Sequence, residues 1–321
     1  MAERNADPIL DLKETSTGLS RREFIVRAGF GLVAVGAAGC SSHTSEAAAD
    51  TRTSLPDRVY IVMSLASQKE VIANGIANHV VGKFPNQDCP IAIRAVPARY
   101  LMELFPRENT YTIPLNGWIF GIATSGVPFD PTGPFWSTTP GNTWQFEVMS
   151  TVARPYLGLD GNNAHVQPNG EYHYHGIPYG LVSTLLRENV GRAPLLLGWA
   201  ADGFPIYGPW GYTDPMDPIS PVRLVRPGYQ LKTGARPLDA PKGYFDGTFV
   251  EDYAFVTGSG DIDECNGRFG IVPDYPGGTY HYYLTASFPF IPRLYRGTPD
   301  ISFTHPLPGP DAIPPALQNI G

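Results

Sequence analysis

Residues 169–178 read NGEYHYHGIP and place His173 and His175 one residue apart, in a chain with only seven histidines among 321 residues. In a strand, side chains alternate between faces, so both imidazoles point one way while Tyr172 and Tyr174 point the other. Their α-carbons then lie roughly 6–7 Å apart, close enough for the two rings to converge on one ion. Neutral imidazole ligates zinc and copper well, copper somewhat more tightly. A third histidine with one position left open gives the reactive kind of site.

Two further histidines are candidates to complete the set. His165, in NNAHVQPNG, precedes the Asn169-Gly170 turn, which can fold it back beside the pair. His281 stands in TYHYY within PGGTYHYYLTASFPF, which answers PNGEYHYHGIP with the same Pro-x-Gly turn and Tyr-His-Tyr strand. The expected metal set is therefore His165, His173, His175 and His281, holding one divalent transition metal, zinc or copper. His79 in NGIANHVVG, Asp202 in ADGFPIYGP and Asp263 in DIDECNG are candidates to orient imidazoles or to add a ligand.

Three histidines plus a water would let the ion act as a Lewis acid or activate water for hydrolysis. Asp202 and Glu264 are then the candidate bases. Four histidines would close the site and make it structural. The competing reading is a non-enzymatic cell-envelope binding module. In it the histidines are satisfied by tyrosine and carboxylate hydrogen bonds, and the aromatic loop ADGFPIYGPWGY engages a ligand. LDGNNAH and GDIDECNG are acidic, but neither has the alternating oxygen spacing of a calcium loop.

These residues must be placed by strands. RVYIVMSL (58–65), YTIPLNGWIFGIAT (111–124), WQFEVM (144–149), GEYHYH (170–175), FVEDYAFV (249–256) and TYHYYLT (279–285) have strand character. PARYLMELF (97–105) and YGLVSTLLREN (179–189) are the expected helices, the second with Leu181, Leu185 and Leu186 on one face and Gly191 at its end. Strands do not alternate with helices, so a single antiparallel β-rich domain, sandwich- or barrel-like, is expected with a few short helices and many ordered loops. Glycine (35) and proline (33) make up roughly a fifth of the chain, against a usual share of about 12%. That favours turns and short strands over long helices.

Charged residues are 17%, hydrophobic ones 42%, and the net charge is −7. A nucleic-acid partner is disfavoured, because phosphate binding needs a basic surface. No Gly-x-Ser-x-Gly elbow and no phosphate-cradling glycine loop is present, so serine-hydrolase and nucleotide chemistry have no support.

Arg21 and Arg22 in SRREFI precede AGFGLVAVGAAG, an apolar stretch too short to span a bilayer. This resembles a twin-arginine export signal, whose partner is the twin-arginine translocation machinery. GAAGC ends on Cys40 like a lipoprotein cleavage site, with Ala37 where leucine is usual. The expected organisation is a signal peptide (1–40), a flexible tether (41–57), one domain (58–300) and a Pro-rich tail (301–321). The expected location is periplasmic or otherwise extracytoplasmic, with lipid on Cys40 as membrane anchor. Cys89 and Cys265 remain for a disulfide, for free thiols or for metal ligation.

The chain resembles the YHYH-domain proteins, named for the motif at Tyr172–His175. The matching segments are NGIANHVVGKFPN (74–86), SGVPFDP (125–131), LGLDGNNAHVQPNGEYHYHGIP (157–178), DGFPIYGP (202–209) and DECNGRFG…YPGGTYHYYLT…FPF (263–290). The resemblance implies an often exported bacterial protein, with no catalytic residues to carry over. The second Tyr-His-Tyr ends in Tyr282-Tyr283 and lacks a second His-x-His. Some relatives have a cysteine near the position of Leu294–Tyr295, which would partner Cys265. This chain lacks it, which leaves Cys89 as the partner within the folded domain.

Overall fold

The structure is a computed structural model that describes residues 55–137, 143–191, 193–304 and 317. The expected export signal, Cys40, most of the expected tether and most of the C-terminal tail lie outside the described residues.

The strands in chain order begin with β1 (Tyr60–Ser64), β2 (Gln68–Ala73), β3 (Ala98–Glu103) and β4 (Ile113–Pro114). Next come β5 (Gly121–Ala123), β6 (Pro128–Phe129), β7 (Ala164–Val166) and β8 (Tyr172–Tyr174). The helix α1 (Tyr179–Glu188) precedes β9 (Leu196–Ala200), β10 (Pro205–Tyr207), β11 (Trp210–Tyr212) and β12 (Val222–Leu224). The chain continues through β13 (Tyr229–Leu231), β14 (Tyr253–Phe255), β15 (Gly267–Val272), β16 (Tyr275–Tyr283) and β17 (Leu294–Tyr295).

Eight of these strands form the central sheet, in the order β15-β16-β10-β9-β5-β6-β8-β7. Its edges are not paired with each other, so the β-rich domain is built on an open sheet and not on a closed barrel. Pairing is mostly antiparallel, but β10–β16 and β6–β8 run parallel. β1-β2-β3 make a separate three-stranded antiparallel sheet.

The order of the central sheet is a palindrome. At its middle, Ile122 of β5 faces Trp199 of β9, Gly121 faces Ala200, and Ala123 faces Gly198. A two-fold axis through that antiparallel pair maps β5 onto β9, β6 onto β10, β8 onto β16 and β7 onto β15. The turns obey it as well. Gly126 and Gly203 both sit at positive φ (83° and 90°), each donating its N–H to an alanine carbonyl, Ala123 or Ala200. Glycine reaches that region without the steric cost of a Cβ.

Three expectations change at the level of elements. Residues 97–105 contain the strand β3 instead of a helix. Leucine, methionine and glutamate favour helix, yet Tyr100 and Met102 are buried while Arg99 and Glu103 are exposed. That is a period of two, imposed by pairing with β2, and an ion pair from Arg99 to Glu70 ties the two strands. Residues 144–149 form only isolated bridges, Phe135–Gln145 and Phe146–Phe249. Residues 249–256 split into a single 3-10 turn, Val250–Asp252, followed by β14. The helix at 179–188 forms as expected, with Leu181 fully buried and Leu185 and Leu186 packed partly against the core.

The main core lies on the Tyr172/Tyr174 side of β8. Tyr172 and Tyr174 are almost wholly buried, and the Tyr174 ring meets Phe129 at 5.6 Å. Because that face of β8 is packed shut, its other face is left to the histidines.

Candidate metal centre

β7 and β8 form a hairpin whose turn is Pro168-Asn169-Gly170. Gly170 has φ 95°, its N–H donates to the Gln167 carbonyl (2.8 Å), and the Asn169 side chain accepts from Glu171 N–H (2.9 Å). This register sets His165 directly opposite His173. Directly opposed residues of an antiparallel pair share a face, and His175 follows His173 by two. Three imidazoles therefore meet on one side of the hairpin.

Their contact is through Nε2. His175 Nε2 lies 2.8 Å from His173 Nε2 and 3.1 Å from His165 Nε2. His173 and His175 are buried and His165 is half-buried. The Nδ1 atom of His165 faces the Leu157 carbonyl at 2.7 Å, and that of His173 faces the Glu171 carbonyl at 3.3 Å. A carbonyl only accepts, so both rings carry their proton on Nδ1 and turn a bare Nε2 inward. Nδ1 of His175 is buried without a partner among the described residues.

Two of the rings, His165 and His175, are held neutral. Burial, and next the charge of His173, push the His165 imidazolium down to about 3 from its ordinary 6.5. Burial, with His173 and His165 beside it, takes His175 well below the ordinary value. With the protons of His165 and His173 held on Nδ1, both rings turn an Nε2 lone pair toward His175. One cation at the centre satisfies all three lone pairs together. Metal–nitrogen bonds of about 2.1 Å in a tetrahedron place nitrogens about 3.4 Å apart; the two pairs with His175, at 2.8 and 3.1 Å, are closer than that, and all three ligand atoms lie within 4.8 Å of one another.

The loop before β7 fixes this geometry. The Asp160 carboxylate accepts from the N–H of Asn162 (2.8 Å), the N–H of Gly82 (2.7 Å) and the hydroxyl of Tyr172 (2.6 Å). Asn163 adopts φ 54°, and its carbonyl accepts from His175 N–H (2.8 Å). The acidic look of LDGNNAH thus reflects a carboxylate saturated by its own chain.

The other predicted site residues lie elsewhere. His281 is not in the cluster: β16 and β8 are five strand spacings apart in the sheet, about 24 Å at 4.8 Å each. Its Nδ1 faces the Thr279 carbonyl (3.0 Å), and its Nε2 accepts from the Tyr283 hydroxyl (2.8 Å). Asp202 is fully buried and accepts from Tyr282 Oη (2.5 Å) and Gly297 N–H (2.8 Å). Asp263 accepts from Tyr280 Oη (3.0 Å) and pairs with Arg296 (2.5 Å), which also stands 3.9 Å from Glu264. His79 Nε2 meets the Tyr174 hydroxyl at 2.5 Å, on the face of β8 away from the cluster. Neither candidate base belongs to the histidine group.

Cys89 and Cys265 are both buried and both free, so of the alternatives left open for them the structure has free thiols. The aromatic loop is largely interior too: Phe204, Tyr207 and Tyr212 are buried and Trp210 is half-buried. Sequence reasoning passed over Asp160 and Asn163 as organisers of the site. The signal available was an Asp-x-x-Asn run just before a strand, a hydrogen-bonded turn pattern. Asp130 was also missed; its charge acts on His165, and it lies one residue beyond β6, the strand paired with β8.

No curated protein and no solved structure matches this chain. A family model described as YHYH protein matches residues 99–297, more than half of the sequence and inclusive of all three clustered histidines, and the chain belongs to that family.

Proposed function

We propose that this is an exported metal-binding protein whose central sheet holds one divalent transition metal ion, zinc or copper, through His165, His173 and His175. The observation that supports the reading is the convergence of three Nε2 atoms, with the protons of two rings directed away by backbone carbonyls. Soft-to-borderline nitrogen donors favour zinc or copper over calcium or magnesium. Twin-arginine export carries folded proteins, so the metal can be loaded before crossing, and lipid on Cys40 would then tether the domain to the membrane.

Three nitrogens leave a fourth position on a tetrahedral ion, and a water there would be acidified for hydrolysis. The carboxylates first considered as bases are hydrogen-bonded or ion-paired outside the cluster. Metal binding is therefore the function the geometry carries best, with hydrolysis a secondary reading. The binding-module alternative expects histidines locked to hydroxyls; His79 and His281 are held so, whereas His165, His173 and His175 face one another.

Elemental analysis of protein produced with its export signal tests the proposal. One equivalent of metal is expected, and His173→Ala plus His175→Ala should abolish it. Zinc at 100 times its dissociation constant should raise stability by about 2.7 kcal/mol, roughly 5–10 °C in Tm for a domain of this size. A folded wild-type chain that takes no metal, or a double variant that retains it, would refute the proposal.

A further inference from the structure

The two-fold symmetry of the sheet extends to side chains, but the two halves place charge differently. Asp160 and Asp263 each bind a tyrosine hydroxyl of the following strand, Tyr172 or Tyr280. Asn163 and Asn266, both at positive φ (54° and 60°), offer a carbonyl to the N–H of His175 or of Tyr283. The register of β7 on β8 pairs His165 with His173, and that of β15 on β16 pairs Arg268 with His281. On the neighbouring strands Pro128 pairs with Ile122 and Pro205 with Trp199. Phe129 therefore answers Ile206, and Asp130 answers Tyr207.

Asp130 lies on the histidine side of β8. Phe129 pairs with Tyr174 and packs on its ring, so the next side chain points to the opposite face. The Asp130 N–H donates to the Tyr174 carbonyl (3.0 Å), which continues the ladder to that residue. Its Oδ2 accepts from Gln167 Nε2 (3.4 Å). Gln167 follows His165 by two residues, and β7 lies beyond β8 from β6, so the carboxylate reaches across β8. The Thr132 N–H holds Oδ1 (2.9 Å), and Asp130 is only 4% exposed. The other half shows the same placement, since the Tyr207 ring stands 5.4 Å from that of His281. Burial and the charge of His173 lower the His165 pKa; Asp130 opposes them, and more strongly than Asp160 on the adjoining loop.

Beside His281, the chain supplies its own cation, Arg268, and the position over the imidazole is a phenol. Beside His173, the paired position is the imidazole of His165, and the position over it is a carboxylate. Glu171, two residues before His173, is a second buried carboxylate there. After burial and the other two imidazoles, the charge acting on His175 is that of Arg293, itself paired with Glu147 (2.6 Å). We propose that Asp130 sets the charge of the ion that the triad takes, selecting a divalent ion over a monovalent one such as copper(I). The inference rests on the reading of the triad as a metal site. Coulomb energy scales with the product of the charges, so a carboxylate at a fixed place favours a divalent ion by twice the logarithm of affinity it gives a monovalent one. A purely geometric contribution has no such dependence.

Zinc(II) and copper(I) affinities of the wild-type chain and of Asp130→Asn test this, each by competition with a chromophoric chelator and copper(I) without oxygen. Asparagine keeps an oxygen for the Thr132 N–H and removes the charge. The ratio of variant to wild type is taken for each ion, so the coordination preferences of the two metals cancel. Zinc(II) should bind about 100-fold more weakly, the upper end for a group beyond the ligands, and copper(I) only about 10-fold more weakly. Equal losses for the two ions, or no loss, in a variant folded by near-ultraviolet circular dichroism overturn the inference and leave the proposed function standing. A wild type that binds neither ion sinks both. If Asp130→Asn fails to fold, Asp130→Ser, with its hydroxyl for the Thr132 N–H, is measured in its place. A zinc loss near the square of the copper loss then supports the inference, and equal losses overturn it.

Discussion

The acid limb of the stability curve gives a sharp test of how these histidines are held, and His281 is the cleanest group to use, since it carries no metal claim in the native chain. Burial lowers its pKa from 6.5 to about 4; the Thr279 carbonyl opposes that and Arg268 adds to it. The folded state therefore binds the proton more weakly than the unfolded state does. Its contribution is fully present above pH 6.5 and is lost as pH falls toward 4. With those two values, the linkage relation gives a loss of about 2 kcal/mol from this one group between pH 7 and pH 5. His281→Gln keeps an acceptor for the Tyr283 hydroxyl and removes the titration. The assay is urea unfolding at pH 7 and pH 5, in chelator so that metal does not enter. The variant starts less stable at pH 7, but its further loss on going to pH 5 should be smaller than that of the wild type by about 2 kcal/mol. Equal losses would show that His281 is charged or solvated in the folded chain, and the argument that burial keeps these rings neutral would fail with it.

Asp202 should behave with the opposite sign. Burial raises its pKa from 3.8 to about 6 despite the bonds from Tyr282, Gly297 and Phe204, so its contribution is present below pH 3.8 and is lost as pH rises through about 6. Asp202→Asn should flatten that loss, keeping about 2.5 kcal/mol that the wild type loses between pH 3.8 and pH 7; parallel unfolding curves across that range would count against it. Cys89 and Cys265 should resist alkylation in the native protein and label fully on unfolding without reductant. Peptide mapping that finds label at either position only after reduction would mean the two are paired.

Most of the β-rich fold was legible because the strong signals were local. The Asn169-Gly170 turn, the alternating Tyr-His-Tyr-His run and the amphipathic helix at 179–188 each follow from spacing of a few residues. β3 was not legible, since ARYLME is a run of good helix formers, and only pairing with β2 makes it a strand. The cysteines mislead for a related reason: two thiols in a chain that reads as exported suggest a bridge, but the fold buries both as free thiols.

His281 shows a different kind of limit. The repeated Tyr-His-Tyr was read as convergence of two histidines on one ion. A two-fold axis sends equivalent residues to equivalent places, and here those places are β8 and β16, each second from an opposite edge of the sheet. Repetition in a sequence predicts similar surroundings, and proximity only when the axis passes close by. Here it passes through β5 and β9, where Ile122 faces Trp199, so the repeats share a frame and divide its uses. Both Asp-x-x-Asn loops build that frame with the same hydrogen bonds, whatever lies between the strands they serve. What separates the two ends is His165 against Arg268 and His175 against Tyr283. At one end the Tyr283 hydroxyl caps His281 Nε2, whereas at the other three imidazole Nε2 atoms face one another. Whether three imidazole nitrogens meet at one point is thus decided by those two positions, on a scaffold indifferent to which arrangement it holds.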